Sequence, residues 1–335
     1  MSTHDEPITD TNSSSLLRVA FQGERGAYSE AAIYDYLCNS TNIYYPKVDR
    51  DRIQAVGYEA FEDVFEAVAS SKTGYTDLGM IPIENTLGGT IHANYDLLLR
   101  YSSSVYILGE VDYPVKHCLL TKDKVLSPDN IEVAYSHPQA LAQCAHYLRK
   151  HNIKPMLHSD TAGAAKMLST TTASTTRQAA AGAISSRLAA DIYNLHVADT
   201  DIQDVSFNHT RFLLLGRAPS PYVALHKAPI PTKVSVVFRV HDTPGSLHRS
   251  LSAFSHRGLQ LCKLESRPVP PHMLDETTNL ETSLVDNTSD DGEAYSSPQQ
   301  HGNMDKGYYH YLCYIDVLKM PGQDKAVDRA IETLK

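Results

Sequence analysis

The sequence predicts an α/β region of two lobes followed by a smaller α+β domain. Up to about residue 216, short apolar strands alternate with helices, and this order is typical of sheets whose strands are mostly parallel. After a proline-rich stretch the order changes to strand, helix, two strands and a helix. A chain of 335 residues is long enough for each part to have its own hydrophobic core.

The first lobe opens with an apolar strand over residues 16–21, a turn that contains two glycines, and a helix that begins near Ser29. An amphipathic helix follows at 58–70, since apolar residues recur there at i, i+3, i+4 and i+7. Residues 78–83 then form a second buried strand. This succession predicts βα units, in which the carboxyl end of each strand faces the start of the next helix.

Polar side chains crowd the segment that follows the 78–83 strand. Asn85, Thr86 and Thr90 are interleaved with two glycines before a helix that has one apolar face. A single Asn or Thr at this position would serve as a helix N-cap. Several of them beside glycines indicate backbone amides that are exposed to a ligand.

A second lobe, at about residues 116–190, repeats the alternation after an extended crossing segment. Each of its strands is followed by polar residues at a helix start. These residues are Ser136, Asp160, Thr161, Ser185 and Ser186. Because ligands of parallel sheets bind at the carboxyl ends of the strands, the two lobes together predict a cleft lined with hydroxyls and amides, which suits carboxylates.

The apolar run at residues 212–215 predicts a further strand that is buried on both faces. The four residues directly before it are Asn208, His209, Thr210 and Arg211. Together they offer hydrogen-bond donors, an acceptor and a fixed cation. Polar groups at the start of a buried strand must bond to one another or to a ligand, so this segment is a candidate for the centre of the cleft.

Prolines between residues 217 and 231 mark a linker, and a second domain follows at 232–335. Its order of elements gives most of a ferredoxin-like sandwich but lacks a closing strand. The predicted elements are strands at 233–240, 259–268 and 308–318 and helices at 244–258 and 324–335. An acidic insert at 272–306, which we expect to be disordered, separates the second and third strands.

The net charge of −9 is concentrated in two stretches, residues 1–15 and the 272–306 insert. Outside them acidic and basic residues nearly balance, so an anionic small molecule is not repelled and no basic face for nucleic acid is present. No apolar run approaches the length that crosses a bilayer. Residues 1–15 have the features of neither a secretory signal nor a transit peptide, so we expect a disordered leader and a cytoplasmic protein.

The cysteines and histidines show no spacing that indicates a disulfide or a metal site. The five cysteines are Cys38, Cys118, Cys144, Cys262 and Cys313. They are scattered and form no C-x-x-C pair, which predicts reduced thiols. Sixteen histidines include no H-E-x-x-H or comparable pattern. We therefore expect neither a metal nor another cofactor.

Six motifs, in order along the chain, resemble those of prephenate dehydratases over roughly residues 17–335. They are GERGAYSEAA at 23–32, IPIENT at 81–86, SHPQALAQ at 136–143, NHTRF at 208–212, DTPGSL at 242–247 and ESRP at 265–268. The resemblance implies a dehydratase region similar in fold to type-2 periplasmic binding proteins, with the active site between its lobes, and then an ACT regulatory domain. The implied reaction converts prephenate to phenylpyruvate with release of carbon dioxide and water and needs no cofactor.

By this resemblance, Thr210 would donate a hydrogen bond or a proton to the departing ring hydroxyl, with His209 as an alternative proton source. The residues implied to bind the two carboxylates and orient the ring are Asn85, Thr86, Ser136, Gln143 and Thr161. Ser29 is either an additional contact or only a helix cap. Arg211 either binds a carboxylate in a bidentate manner or forms a structural ion pair within its lobe.

The ACT motifs imply feedback inhibition by phenylalanine at an interface between paired domains, and a homodimer or a dimer of dimers. The matching residues are Gly245, Leu247, Glu265, Ser266 and Arg267. Three features depart from the family pattern: Ser246 replaces the usual alanine, the acidic insert is long, and the last strand is missing. These departures leave open a domain that serves only for dimerisation.

Two other functions stay open. Arogenate dehydratase would perform the same elimination on the amino analogue, although the absence of a plastid leader and the motif set favour prephenate. A non-catalytic receptor for an anionic metabolite is the second alternative, since both parts of the chain resemble binding proteins. Thr210 beside Asn208 and Arg211 favours the enzyme.

Overall fold

The computed structural model describes residues 16–39, 47–70, 76–122, 124, 127–171, 180–217, 232–240, 243–268 and 311–334. The chain divides into two compact units, Met1–Lys227 and Ala228–Lys335. The expected leader at 1–15, all but the first residue of the linker, and the acidic insert at 272–306 lie outside the described residues.

The first unit alternates strands and helices, as the sequence predicts. Its elements are β1 (Leu17–Gln22), α1 (Tyr28–Tyr34), β2 (Ile53–Tyr58), α2 (Phe61–Ala69), β3 (Leu78–Asn85), β4 (Gly89–Thr90), α3 (His92–Arg100), β5 (Tyr106–Pro114), β6 (Cys118–Thr121), β7 (Val133–Ser136), α4 (Pro138–Gln143), α5 (Ala145–Lys150), β8 (Lys154–Leu157), α6 (Thr161–Thr170), β9 (Ala181–Ser185), α7 (Arg187–Tyr193), β10 (His196–Asp199) and β11 (His209–Gly216). A π-helical stretch at Asp35–Asn39 continues α1, and short 3-10 helices lie at Arg50–Arg52 and Pro128–Asn130.

The first lobe is built on a sheet with the strand order β2-β1-β3-β11-β5, in which β4 also pairs with β3. Strand β1 is parallel to β2 and β3, whereas β11 is antiparallel to both β3 and β5. Phe21, Met80 and Leu214 meet in its core and are fully buried. The expectation of mostly parallel strands is therefore only partly correct, because β11 returns from the second lobe and enters the sheet between β3 and β5.

The second lobe has its own sheet, with the strand order β10-β6-β9-β7-β8. Strands β7, β8 and β9 are parallel, and β6 is antiparallel to β9 and β10. Since β10 ends at Asp199, this lobe extends past the boundary near residue 190 that the sequence suggested. Helices α6 and α7 pack against it through alanines such as Ala164 and Ala189.

Three strands were missed in the sequence, namely β2, β4 and β10, and each lies at the margin of its sheet. Strand β2 has a single buried residue, Ile53, and β4 and β10 have none. Edge strands carry a weak hydrophobic pattern because only part of each strand is covered. The helix expected from residue 58 begins only at Phe61, because Tyr58 still belongs to the missed strand β2.

The two lobes contact each other closely at Gly26. This residue has a φ of +89°, and a Cβ atom there would lie 2.7 Å from the Cα atom of Ala189 at the start of α7. The Ser186 hydroxyl also donates a hydrogen bond to the Gly26 carbonyl oxygen at 2.6 Å. Only glycine fits this combination of a left-handed backbone and a close approach.

The second unit has the strand and helix order that the sequence predicts. Its elements are β12 (Thr232–Arg239), α8 (Ser246–Ser255), β13 (Gln260–Pro268), β14 (Tyr311–Lys319) and α9 (Asp324–Leu334). The strands form an antiparallel sheet in the order β12-β14-β13. Phe254, Val317 and Val327 belong to the core shared by this sheet and the two helices, so the unit is ferredoxin-like.

Within the described ranges, no helix combines the length and the apolar character needed to cross a bilayer. All five cysteines are free.

Candidate active site

A cavity of about 230 Å³ lies in the first unit and is lined by both lobes. The first lobe contributes the ends of β1 and β3, the start of α1 and the start of β11. The second lobe contributes the starts of α4 and α6. The polar lining residues are Gln22, Tyr28, Ser29, Asn85, His117, His137, Gln139, Gln143, Asp160, Thr161 and Thr210. Of the residues predicted to contact a substrate, the cavity thus brings together Ser29, Asn85, Gln143, Thr161 and Thr210.

Asn85 and Thr210 face each other across the β3–β11 pairing. The Asn85 amide nitrogen lies 2.9 Å from Thr210 Oγ1, Asn208 Oδ1 and the His209 carbonyl oxygen, so its two hydrogens are shared among these three acceptors. The Asn85 amide oxygen accepts from the backbone nitrogens of Leu87 at 3.0 Å and Gly88 at 2.7 Å. The hydrogen-bonding capacity of Asn85 is therefore used within the protein.

The bond from Asn85 determines what the Thr210 hydroxyl can do. An amide nitrogen only donates, so Thr210 Oγ1 is the acceptor and its own hydrogen is not used in this contact. In the described part of the chain no protein acceptor lies within hydrogen-bond distance of that hydroxyl. Because Thr210 is only 8% exposed and lines the cavity, its hydrogen is available to a group bound there.

A chain of side-chain amides connects this pair to the second lobe. Asn208 is only 1% exposed, and its amide nitrogen donates to Gln143 Oε1 at 3.0 Å. The same oxygen lies 2.9 Å from His117 Nε2. On the other side of the imidazole ring, Nδ1 lies 2.9 Å from the hydroxyl of Tyr28, which also contacts the Lys116 carbonyl oxygen. The contacts run without interruption from Thr210 to Tyr28.

The partners of His117 determine its protonation. A carbonyl oxygen only accepts, so Nε2 carries the hydrogen that is shared with Gln143. Burial lowers the pKa of His117 below its ordinary value, and the hydrogen bond to Gln143 opposes this only in part. The hydrogen bonds from the neutral His117 ring and from Asn208 fix the position of Gln143 Oε1. The Gln143 amide nitrogen then has no partner among the described protein groups and can donate into the cavity.

Three helices begin at the cavity wall, and their first residues border it. At α1 the bordering residues are Tyr28 and Ser29. At α4 they are the N-cap His137 and Gln139, and at α6 they are the N-cap Asp160 and Thr161. The N-terminal end of a helix carries partial positive charge and favours bound anions. Ser29 lies within α1, whose N-cap is Ala27, so the alternative reading of Ser29 as a helix cap is wrong.

Arg211 does not reach the cavity, contrary to the expectation of a carboxylate-binding guanidinium. Side chains of consecutive residues in a strand point to opposite faces, so Arg211 points away from the face that carries Thr210. Its Nε atom lies 2.9 Å from Glu84 and its Nη1 atom 3.3 Å from Glu110, on the two neighbouring strands. The alternative, a structural ion pair within the lobe, is the arrangement observed.

Thr86, Ser136 and His209 also lie outside the cavity lining. Thr86 Oγ1 accepts a hydrogen bond from the His209 backbone nitrogen at 3.0 Å and so fixes the start of β11. Ser136 is fully buried at the end of β7, and it donates to the Ile184 carbonyl oxygen of the neighbouring strand β9 at 2.6 Å. The His209 ring stacks on Phe207 and pairs with Asp112 at 3.1 Å. Each of these residues thus interacts with other groups of the protein.

Several lining residues were not predicted as site residues. They are Gln22, Tyr28, His117, His137, Gln139 and Asp160. Tyr28, His137 and Gln139 belong to motifs that the sequence had singled out, and Asp160 directly precedes Thr161, so their positions carried a signal. His117 lies in the segment that crosses between the lobes, and nothing in the local pattern marks it.

Across the part of the chain that the structure describes, no three His, Cys, Asp or Glu side chains cluster in a way that would hold a metal ion. The polar groups among the described residues that line the cavity are hydroxyls, amides, imidazoles and one carboxylate.

Two curated plant proteins are similar in sequence. The chain is 38% identical over 316 residues to "Arogenate dehydratase 2" of Petunia hybrida, an alignment that covers 92% of this chain and 68% of the relative. It is 41% identical over 265 residues to "Arogenate dehydratase/prephenate dehydratase 2, chloroplastic" of Arabidopsis thaliana, covering 78% of this chain and 61% of the relative.

The name of the Arabidopsis relative contradicts the cytoplasmic location expected from the sequence. That expectation used the composition of residues 1–15. A targeting segment is recognised by import receptors and is not part of the folded domain, so the fold and the cavity carry no information about it. The composition of residues 1–15 is therefore no argument against arogenate as the substrate.

The solved structure of prephenate dehydratase from Arthrobacter aurescens in complex with L-Phe has the same fold. Its TM-score is 0.67 at 23% sequence identity, over 95% of this chain and 85% of that one. The family model described as "Prephenate dehydratase" matches residues 19–220, which span both lobes and every residue of the cavity wall. The chain belongs to the prephenate dehydratase family of hydro-lyases.

Proposed function

We propose that this chain catalyses a decarboxylating dehydration that converts prephenate to phenylpyruvate, or the 2-amino analogue arogenate to phenylalanine. Family membership supports the reaction class, and the names of the plant relatives include both substrates. The observation that carries the proposal is the Thr210 hydroxyl, which Asn85 holds in the cavity wall with its hydrogen available.

The reaction needs one well-placed donor more than a strong acid. The bond between the ring and its carboxylate breaks, carbon dioxide leaves, and the electron pair moves through the ring toward the carbon that bears the hydroxyl. The carbon–oxygen bond then breaks and the oxygen leaves as hydroxide, which takes up a proton from solvent to give water, so negative charge develops on that oxygen in the transition state. A hydrogen bond from Thr210 to the departing oxygen stabilises this charge, while formation of the aromatic ring drives the step.

The remaining polar wall suits the carboxylates of such a substrate. Helix starts at α1, α4 and α6 provide partial positive charge, and the amide nitrogen of Gln143 is a free donor. Thr161 and Ser29 add hydroxyl groups. No Lys or Arg is among the described residues that line the cavity, so binding depends on these neutral donors.

The direct test is turnover of both substrates by the purified full chain. Incubation with prephenate should yield phenylpyruvate, and incubation with arogenate should yield phenylalanine, in each case with stoichiometric carbon dioxide and without an added cofactor. Chromatography of the products distinguishes the two reactions. Formation of neither product at high enzyme concentration would contradict the proposal, and saturable binding without turnover would then support a receptor.

For the second unit we propose an ACT-type regulatory role, with phenylalanine bound between paired copies of this domain. Its βαββα order supports this role. Gly245 adopts a left-handed conformation with φ of +81° directly before α8, and Leu247 in the first turn of α8 is 39% exposed. Glu265, Ser266 and Arg267 follow one another on β13. The structure from Arthrobacter aurescens is described as a complex with L-Phe.

Inhibition kinetics test this role. Phenylalanine should lower the rate of the wild-type chain, and Arg267→Ala should relieve the inhibition with little change in the uninhibited rate. Lys325→Ala, which removes an exposed charge on α9, serves as the matched control and should leave inhibition intact. A wild-type rate that does not respond to phenylalanine would contradict a regulatory site and leave a domain that only dimerises.

A further inference from the structure

Asp160 lies in the cavity wall directly before α6. Its Oδ1 atom accepts a hydrogen bond from the Gly163 backbone nitrogen at 2.6 Å and caps the helix. Its Oδ2 atom has only a long contact of 3.4 Å with the Ser159 hydroxyl. Among the described residues no Lys or Arg pairs with this carboxylate, so one of its oxygens has unused capacity to accept a hydrogen bond.

The other charges on the cavity wall determine how strongly the Asp160 carboxylate affects a bound ligand. Of the described residues that line the cavity, Asp160 is the one acidic side chain, and none is Lys or Arg. His117 is neutral because it is buried between Gln143 and Tyr28. Asp160 is half-buried, so water screens its charge less than at a fully exposed site, and a ligand group beside it is favoured if it is positive and disfavoured if it is negative.

Prephenate and arogenate differ at a single position, which bears a ketone oxygen in the first and an ammonium group in the second. We propose that the Asp160 carboxylate accepts a hydrogen bond from this ammonium group and so makes the cavity selective for the 2-amino acid. The inference rests on the proposed dehydratase function and names its preferred substrate class. With its two carboxylates and one ammonium, arogenate also brings less negative charge into a wall that already carries Asp160.

The test compares kcat/KM for arogenate and prephenate in the full chain. Asp160→Asn removes the charge but keeps an oxygen that can cap α6, and Asp160→Ser does the same with a smaller side chain. Asp191→Asn, at an exposed position of α7 outside the cavity wall, is the matched control for the change in net charge. The ratio of the two kcat/KM values should favour arogenate in the wild type and fall about 10- to 100-fold in both Asp160 variants.

Each result has a separate meaning. If the wild type acts on both substrates and the ratio stays within about twofold in both Asp160 variants, the role of Asp160 is wrong while the dehydratase function stands. A matching shift in Asp191→Asn would also contradict it, because net charge alone would then be the cause. If neither substrate is converted, the proposed function fails, and calorimetric titration of arogenate and prephenate decides whether Asp160 still discriminates between them in binding.

Discussion

The two walls of the cavity use their polar groups in different ways. In the first lobe, both amide hydrogens and the amide oxygen of Asn85 are bonded to the protein, and they hold the Thr210 hydroxyl in place. In the second lobe, Gln143 and Asp160 each keep a polar atom that has no strong partner among the described protein groups. One wall is preorganised, and the other has donors and acceptors left for a ligand.

We infer from this difference that the first-lobe wall serves catalysis and the second-lobe wall serves substrate recognition. A group that must stabilise a transition state works best when it is held in place before the substrate arrives, because no reorganisation is then needed during the reaction. A group that distinguishes substrates must bond to them, so its capacity cannot be used within the protein. The comparison predicts that substitutions in the first-lobe wall lower kcat and that substitutions in the second-lobe wall change KM and selectivity.

The largest effect is expected from Thr210→Ala. Loss of a donor to the developing charge should lower kcat about 100- to 1,000-fold. Because this bond strengthens mainly in the transition state, KM should change less than about threefold. Thr210→Ser, which keeps the hydroxyl, should retain most of the activity. Steady-state kinetics with either substrate make the measurement, and wild-type kcat in Thr210→Ala would remove the hydroxyl from the mechanism.

Gln143→Glu is expected to have a smaller effect, which falls on KM instead of kcat. The new side chain keeps an acceptor for Asn208 and His117 but replaces the free amide donor with a negative charge. KM for a substrate with two carboxylates should rise about 10- to 100-fold, while kcat should change much less. A loss of kcat at constant KM would show that the second-lobe wall also acts on the transition state.

Arg211→Met is expected to affect folding but not the cavity. Loss of the partly buried pairing with Glu84 and Glu110 should lower the free energy of unfolding by about 1–3 kcal/mol. Since the side chain lies on the face of the sheet opposite to Thr210, KM should stay at the wild-type value. Denaturant titration and steady-state kinetics measure the two effects. A large rise in KM in a folded variant would return Arg211 to the binding site.

The smallest effect is a dependence of stability on pH caused by His117. Burial lowers the pKa of His117 in the folded state, so the unfolded chain binds the proton more readily. Below the ordinary histidine pKa of about 6.5, stability should therefore fall as the pH falls toward the lower folded value, by at most about 1.4 kcal/mol per pH unit. His117→Gln should lack this contribution. An unchanged pH profile in that variant would contradict the buried neutral ring.

The strand and helix order of both units could be predicted from the sequence, because the buried strands and amphipathic helices carry strong patterns. The run at 212–215 was expected to be buried on both faces, and it forms the middle of β11 between β3 and β5. Strands β2, β4 and β10 were missed since their hydrophobic pattern is weak. The antiparallel direction of β11 is a tertiary property, and local sequence does not encode it.

The candidate site could be predicted only where neighbouring residues share a face. Thr210 was assigned to the ligand and Arg211 either to the ligand or to an ion pair within the lobe, and strand alternation places the two side chains on opposite faces. Ser136 lies at the carboxyl end of a parallel strand, where polar residues are expected to meet a ligand. Its hydroxyl instead bonds to the neighbouring strand β9. Whether Asn85 bonds to a ligand or to Thr210 depends on the β3–β11 register, which becomes visible only in the fold.

The central claim is that Asn85 acts on the reaction through Thr210 and not through the substrate. A double-mutant cycle on kcat tests it most directly, with circular dichroism to show that each variant is folded. Asn85→Ala should lower kcat about 10- to 100-fold in the wild-type chain, where it releases the Thr210 hydroxyl. In a Thr210→Ala background the same substitution should change kcat less than about twofold. Equal losses in both backgrounds would show that Asn85 contacts the substrate independently and would contradict the claim.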